Sequence, residues 1–288
     1  MLTILALGTD ALAYAMALFI VCVGLSVTLG LMRIANLAHG AFAMIGGYAA
    51  SHLTTDAGFG FLPALLVAIL VTVAAALPIE RFLYRRIYGA PQLTQVLMTI
   101  GMTFVIVGTV NFVFGPTLKS IVLPELLSGP VDIGFRSIAG HKLLAIGCGA
   151  VVALGLWVLF NHTRLGLCLR ATVADAQMTG HLGVHTASIN AVGFVLGVGL
   201  AALGGVVGAQ LMPVEPYYAL RYLMTFLVVV SMGGAGSIGG TLAACLLLAT
   251  LSTFTQYMFP DFGDLFLYLA VILVVVAMPR GLLGWRRA

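Results

Sequence analysis

Charge is what this sequence has least of. Lys, Arg, Asp and Glu together make up 8% of its 288 residues, against about 25% in an ordinary soluble domain. Residues 11–32, 92–118 and 222–260 contain no charged side chain at all. A membrane helix needs about 20 mostly apolar residues, so the scarcity of charge identifies the solvent as lipid. Long hydrophilic stretches are missing too. The longest loop candidates, residues 115–140 and 161–188, are too short for a nucleotide-binding or catalytic domain. No GxxxxGK[ST] phosphate loop occurs, which excludes ATP hydrolysis by that device in this chain alone. The four cysteines, Cys22, Cys148, Cys168 and Cys245, are far apart and form no CxxC pair. They read as small packing residues. Residues 1–10 carry no basic cluster, and the first apolar run is as long as a full span, which argues against a cleaved signal peptide. The net charge of +4 does not point to nucleic acid, because basic residues in membrane proteins mostly set orientation. One transmembrane domain over residues 1–288 is expected, all-α in class.

Arginines punctuate the apolar runs. Arg33 follows a span at about 11–32. Arg81, Arg85 and Arg86 follow one at about 61–80, Arg164 and Arg170 one at about 141–160, and Arg280, Arg286 and Arg287 close the chain. Placing all four groups on the cytoplasmic side puts the N-terminus outside and the C-terminus inside. Return spans then run at about 35–52, 92–114 and 188–210. The stretch 222–258 is too long for one helix and reads as a short inward segment, a glycine turn and a helix back out. A last span at about 264–279 brings the total to nine passes, with a range of eight to ten set by the short segment 222–232.

Glycine numbers 35. Gly193/Gly197 and Gly204/Gly208 are GxxxG pairs, which serve close helix packing in a bilayer, a path lined by exposed backbone being the sharper alternative. Asn36 and His39 place an amide and an imidazole in an apolar segment beside Gly40. Such groups are costly in lipid unless they meet partners or a cavity. They fit either a broken helix lining a translocation path or an interhelical hydrogen bond, and residue types alone do not separate the two. Gln95 and Asn111 are further path candidates. The run Gly234-Ala235-Gly236-Ser237-Ile238-Gly239 matches GxGxxG, but a dinucleotide site requires a strand before it. A tight turn made by Gly233, Gly234, Gly236, Gly239 and Gly240 is the better account. His181 and His185 have i, i+4 spacing, yet Gly183 weakens a helix there and two histidines do not make a metal site. Residues of about 161–187 form an inner loop, in which Leu169, Val173, Ala176 and Met178 point to one short amphipathic helix at about 171–180, ended by Gly180 or Gly183.

Together these pieces resemble the branched-chain amino acid ABC importer permeases, LivH type. The resemblance rests on Met32-Arg33-Ile34-Ala35-Asn36-Leu37-Ala38-His39-Gly40-Ala41-Phe42, on Arg164-Leu165-Gly166-Leu167-Cys168-Leu169-Arg170-Ala171 with Leu182-Gly183-Val184, on the run from Gly233 to Gly240, and on Pro279-Arg280-Gly281-Leu282-Leu283-Gly284. It implies a bacterial or archaeal cytoplasmic membrane location. The implied partners are a second homologous permease, two cytoplasmic ATPase subunits that use ATP and Mg, and an extracytoplasmic solute-binding protein. No cofactor or metal is implied in this chain. Where the family's coupling segment falls, this chain has Arg164, Arg170, Ala171, Asp175 and Gly183. Ala41 stands where the family commonly has an acid, which bears on the solute: the same family also serves urea, short amides and aromatic acids. The family's arginine-proline ending appears as Met278-Pro279-Arg280. An ion-coupled transporter or channel would want ionisable residues in mid-span, and an intramembrane enzyme would want a nucleophile and base together. The sequence offers neither.

Overall fold

The computed structural model describes residues 2–32, 36–87, 89–132, 137–277 and 282. Arg33, Ile34 and Ala35 of the early motif lie outside the described residues, as do Arg280, Arg286 and Arg287 and, apart from Leu282, the ending at 278–284.

Helices dominate. In chain order they are α1 (Leu2–Met32), α2 (His39–Thr55), α3 (Phe61–Ile79), α4 (Arg85–Ile87), α5 (Gln92–Phe114), α6 (Glu125–Ser128), α7 (Gly140–His162), α8 (Arg164–Ala174), α9 (Ala176–His181), α10 (Thr186–Val207), α11 (Tyr218–Arg221), α12 (Leu223–Gly233), α13 (Ile238–Met258) and α14 (Gly263–Ala277). Between α6 and α7, β1 (Pro130–Asp132) pairs antiparallel with β2 (Ser137–Ala139), Val131 opposite Ile138. This small ribbon sits within a fold that is helical in class, as expected.

Helix occupies every one of the nine stretches read as spans. Among the described residues, six of them are long and apolar enough to cross a membrane, where nine passes are expected. The other three, α2, α12 and α14, have 17, 11 and 15 residues. At 1.5 Å per residue these span about 16–26 Å, less than the roughly 30 Å of hydrocarbon. The shortness of α2 has a local cause. It begins opposite the middle of α1, where the His39 ring lies 3.0 Å from the Val21 carbonyl, instead of at the end of the bundle.

The centre is α1, whose apolar window is 78% buried, against 17–28% for α3, α5 and α7. A helix surrounded by protein is apolar on all sides, as the run Ala15–Val23 is. It packs on α7, α10 and α13, while α2 packs on α3 and α10. Lipid is as apolar as leucine, so these contacts depend on dispersion and close approach. The glycines supply that approach. A Cβ on Gly24 would lie 2.6 Å from the Gly197 carbonyl, and one on Gly46 would lie 2.7 Å from the Ala202 Cα. Gly197 faces Gly24 and Thr28, and Gly204 faces Val21, so both GxxxG motifs are used in packing on α1. Gly205 is seated against the Ala43 carbonyl.

The segments gather at two ends. At one, Lys142 binds Asp10 at 2.8 Å. There Tyr48 and Ser51 donate to the carbonyls of Thr117 and Ser120, and Lys119 bridges Val214. At the other lie the α3–α5 connection, α8 and α9, and the turn between α12 and α13. Pro78 interrupts the hydrogen-bond ladder of α3, and a π-turn follows over Glu80–Tyr84, in keeping with the ring's missing donor. Inside that turn the buried Glu80 carboxylate accepts two bonds from Arg85 Nε, at 3.1 and 3.2 Å.

Gly205→Ala should lower the thermal unfolding midpoint in detergent, because overpacking of a fitted contact costs about 1–3 kcal/mol. Gly101→Ala, where a Cβ meets open space, should leave the midpoint unchanged or raise it. Equal midpoints in the two variants would remove the seam from its central role.

Candidate functional site

Asn36 and His39 come together in the core, 2% and 1% exposed. Asn36 Oδ1 accepts from Tyr84 Oη at 2.6 Å and from the Ala38 N–H at 3.1 Å. Thr103 on α5 donates to the Leu37 carbonyl at 3.3 Å. Four elements thus close around one short connection. Each side chain still has unused capacity: among the described residues, Asn36 Nδ2 and His39 Nδ1 have no hydrogen-bond partner. Gln95 does not join them. Its amide donates to the carbonyls of Ile87 and Ala90 at 3.1 Å each and fastens the turn before α5. Asn111 lies sixteen residues further along the same helix, about 24 Å away.

A second site involves residues that pattern reading did not select. At the Asp10–Lys142 end, a cleft of about 550 Å³ opens between α1, α12, α13 and α14. Its lining includes Tyr14, Arg221, Tyr222, Thr225, Thr253 and Gln256. Arg221 Nη1 bonds Glu215 Oε1 at 2.7 Å, and its guanidinium lies 5.8 Å from the Tyr222 ring centroid. The floor is aromatic. Tyr222 contacts Tyr218 with centroids 4.8 Å apart and Phe226 at 6.1 Å. Tyr218 is buried, and its hydroxyl has no partner among the described residues. Behind this wall is the first site. Phe226 and Ala219 press on Gly40, the residue after His39; a Cβ there would lie 3.1 and 3.2 Å from them.

The glycine turn closes the opposite end. α12 stops at Gly233, and Gly234 and Gly236 take left-handed φ values of 84° and 77°, a region that favours glycine. The Gly236 N–H donates to the Ser26 carbonyl at 3.0 Å. Ser237 then caps α13 by accepting from Gly240 N at 3.1 Å. Gly240 is seated against the Gly233 carbonyl, and Gly239 lies exposed in the first turn of α13. A helix, not a strand, precedes this run, which removes the structural basis of a dinucleotide reading.

The inner loop departs from the single helix expected at about 171–180. It forms α8 and α9 with a break at Asp175, whose carboxylate accepts from Gln177 N and Met178 N at 2.9 Å each. That is an N-cap, and an N-cap starts a new helix. Gly183, at φ 86°, comes after α9. His181 and His185 fall on either side of it, on different elements, so no common helix face holds them. α8 contacts α1, α7 and α10, with Leu169 and Thr172 turned inward. Arg164, Arg170, Leu167, Met178 and Leu182 are exposed, Leu182 by 83%.

Residues 8–276 match the profile of a family described as the permease component of the branched-chain amino acid transport system. The permease protein BraD of Pseudomonas aeruginosa is 30% identical over 280 residues, 92% of this chain and 91% of the relative. LivH of Escherichia coli K12 is 28% identical, covering 92% and 90%. A probable LivH from Methanocaldococcus jannaschii is 22% identical, covering 96% and 92%. Among solved structures, a chain of PsaBC from Streptococcus pneumoniae in complex with Fab matches at a TM-score of 0.51 and 16% identity, covering 93% of this chain and 89% of that one. This last likeness speaks for the fold alone.

The chain belongs to the branched-chain permease family. In this permease, Ala41 is fully buried, so a charged side chain at that place would need a partner. The Asn36–Tyr84 bond ties a permease signature to the turn after α3 across 48 positions.

Asn36→Leu should destabilise the protein by about 1–3 kcal/mol, since it removes the side-chain acceptor of the buried Tyr84 hydroxyl. Adding Tyr84→Phe should recover part of that loss, a coupling of about 0.5–3 kcal/mol. Strictly additive midpoints in a thermal denaturation cycle would show that the bond does not hold the connection.

Proposed function

We propose that this chain is one membrane-spanning permease subunit of an ATP-driven importer for branched-chain or related amino acids. The observation that carries the reading is the family match across residues 8–276. On this reading the Asp10–Lys142 end faces outward and the α8–α9 end faces the cytoplasm, as the arginines favour. The short helices α2 and α12, sheltered by neighbouring protein, and α14, which presents an exposed apolar face, complete nine passes. A second homologous permease pairs with this one in the inner membrane. An extracytoplasmic binding protein delivers the solute, and two ATPase subunits using ATP and Mg act from below.

The route begins in the cleft. It is closed beneath by Tyr218, Tyr222 and Phe226, and it continues past Asn36 and His39 when α12 moves. Among the described residues, three groups have unmet hydrogen-bonding capacity near that wall: Tyr218 Oη, His39 Nδ1 and Asn36 Nδ2. Desolvated polar groups without partners are costly, and a passing solute offers partners. The ATPases engage α8 and α9, whose exposed face mixes Arg164 and Arg170 with Leu167, Met178 and Leu182. ATP binding then shifts the permease pair between outward and inward states, by as much as the motor's affinity differs between them. Urea, short amides or aromatic acids are the alternative cargo.

Co-purification of a second hydrophobic chain with two ATPases, then ATP-dependent leucine uptake in vesicles, tests the reading; full uptake by this polypeptide alone would end it. Arg170→Glu reverses charge on the exposed face. Gly183→Pro imposes a φ near −65° where the chain holds 86° and removes the bond from Gly183 N to the Gly180 carbonyl. Both variants should insert normally yet uncouple ATP hydrolysis from uptake. Unchanged uptake and hydrolysis rates would take the coupling role from this segment. His39→Ala should reduce uptake more than it reduces assembly, and normal uptake would confine His39 to packing.

A further inference from the structure

We propose that the Arg221–Glu215 pair is a station for a free zwitterion: Arg221 receives the solute carboxylate and Glu215 its ammonium. The inference rests on the importer reading for its direction and goes beyond it in naming the groups that hold the cargo.

Four observations converge. First, the cleft volume of about 550 Å³ lies within the range of small-molecule sites, about 300–1,000 Å³. Second, Arg221 lines that cleft, and its side chain is 61% exposed although it is engaged by Glu215, whose side chain is 25% exposed. The guanidinium is therefore within reach of a molecule in the cleft. A guanidinium binds carboxylate through two parallel N–H donors. Third, the lining on the other side is uncharged and hydroxyl- or amide-bearing: Thr225, Ser252, Thr253 and Gln256. Among the described lining residues Arg221 alone is charged, so an anion entering the cleft has one place to go. Fourth, Thr225 comes four residues after Arg221 along nearly continuous helical hydrogen bonding, Tyr222 N to Tyr218 O and Phe226 N to Tyr222 O. The solute's anchor is thus part of the element that forms the aromatic wall.

The chemistry favours a transient hold. A bound α-amino acid sets its carboxylate against Arg221 and its ammonium against Glu215. Both groups already carry partners in the resting structure, so the gain on binding is small. That suits a station that must release its cargo onward. The aliphatic side chain is left to face the Tyr222 and Tyr14 rings. Uncharged cargo such as urea gains hydrogen bonds but no charge pairing from these groups, so the station favours the amino acid reading over its alternative.

The test uses the assembled importer in proteoliposomes, with Cys148→Ser and Cys168→Ser removing the less buried thiols and Thr225→Cys placing one in the cleft. A membrane-impermeant maleimide added outside should label Thr225→Cys. Leucine should slow that labelling, and leucinamide, which lacks the carboxylate, should protect at least about tenfold more weakly. Arg221→Gln should abolish the difference between the two compounds. Arg221→Lys, which keeps the charge and loses the fork, should restore part of it, and Glu215→Gln should weaken protection by leucine. A cleft that is not labelled from outside, equal protection by leucinamide, or leucine protection undiminished in Arg221→Gln would each overturn the station. Wild-type complex that moves no leucine but shows Arg221-dependent protection would strike the importer reading and leave the station standing.

Discussion

The close approach of α1 and α10 is the contact on which the remaining geometry depends. Gly24 and Gly197 meet backbone to backbone, and Gly204 fits over Val21. In water such a seam would be one contribution among many to a hydrophobic core. In lipid, burying leucine against leucine gains little, and the approach of backbones supplies dispersion that lipid cannot match. Because α1 and α10 are so close, α2 can cross α10 through Gly46 and Gly205 with no side chain between. That crossing sets the start of α2 at mid-bundle. The Asn36–His39 connection is consequently buried at the depth of Val21 rather than left at a surface.

A polar connection at that depth has to be accounted for. Most buried hydroxyls in the bundle are satisfied locally: Thr72 bonds the Ala68 carbonyl, and Thr172 bonds the Cys168 carbonyl. Such back-bonding makes them part of their own helix and leaves no demand on the surroundings. Asn36, His39 and Tyr218 are different, each keeping one unmatched atom in the described structure. Gly40 is what brings them near one another, since only the lack of a side chain there lets Ala219 and Phe226 approach α2. The same economy of side chains that allows tight packing thus brings the polar groups near a single aromatic wall.

The bundle was legible in the sequence because its signals are one-dimensional. Charge-free runs and the arginines between them located helix in each of the nine stretches read as spans, and the glycine run announced the turn between α12 and α13. Length was less legible at α2 and α14, since apolar content does not say where along the bundle a helix starts. The break at Asp175 had a visible signal, an acidic residue able to cap the helix that begins at Ala176, but the apolar pattern ran across it. The cleft had no such signal. Tyr14, Tyr222, Thr225, Ser252 and Gln256 come from three helices at ordinary spacings, and each alone resembles a back-bonded or interfacial residue. Asn36 was noticed for its cost in lipid, yet its partner Tyr84 lies 48 positions away beyond a proline-driven π-turn, a distance no local pattern encodes. Arg221 carried no local signal either, and only the fold shows that it lines a cavity with Glu215 bonded to it.

A stiff centre with a loose cleft at one end also fits a subunit that holds no phosphate-binding motif of its own. On the importer reading, the work enters at α8, which touches α1, α7 and α10 together. Packed interiors move between discrete arrangements rather than deforming continuously, so force on α8 is passed to the seam as a unit. Beside that seam, packed on α1, lies α12, eleven residues long, bounded by the glycine turn at one end and by Arg221 at the other. A tight grip on solute would stabilise one state and resist the change, because a ligand shifts an equilibrium only by its difference in affinity between states. Weak holding at the mouth and strong packing at the core are therefore two sides of one requirement: the motor's preference, and not the cargo's, must decide which way the wall stands.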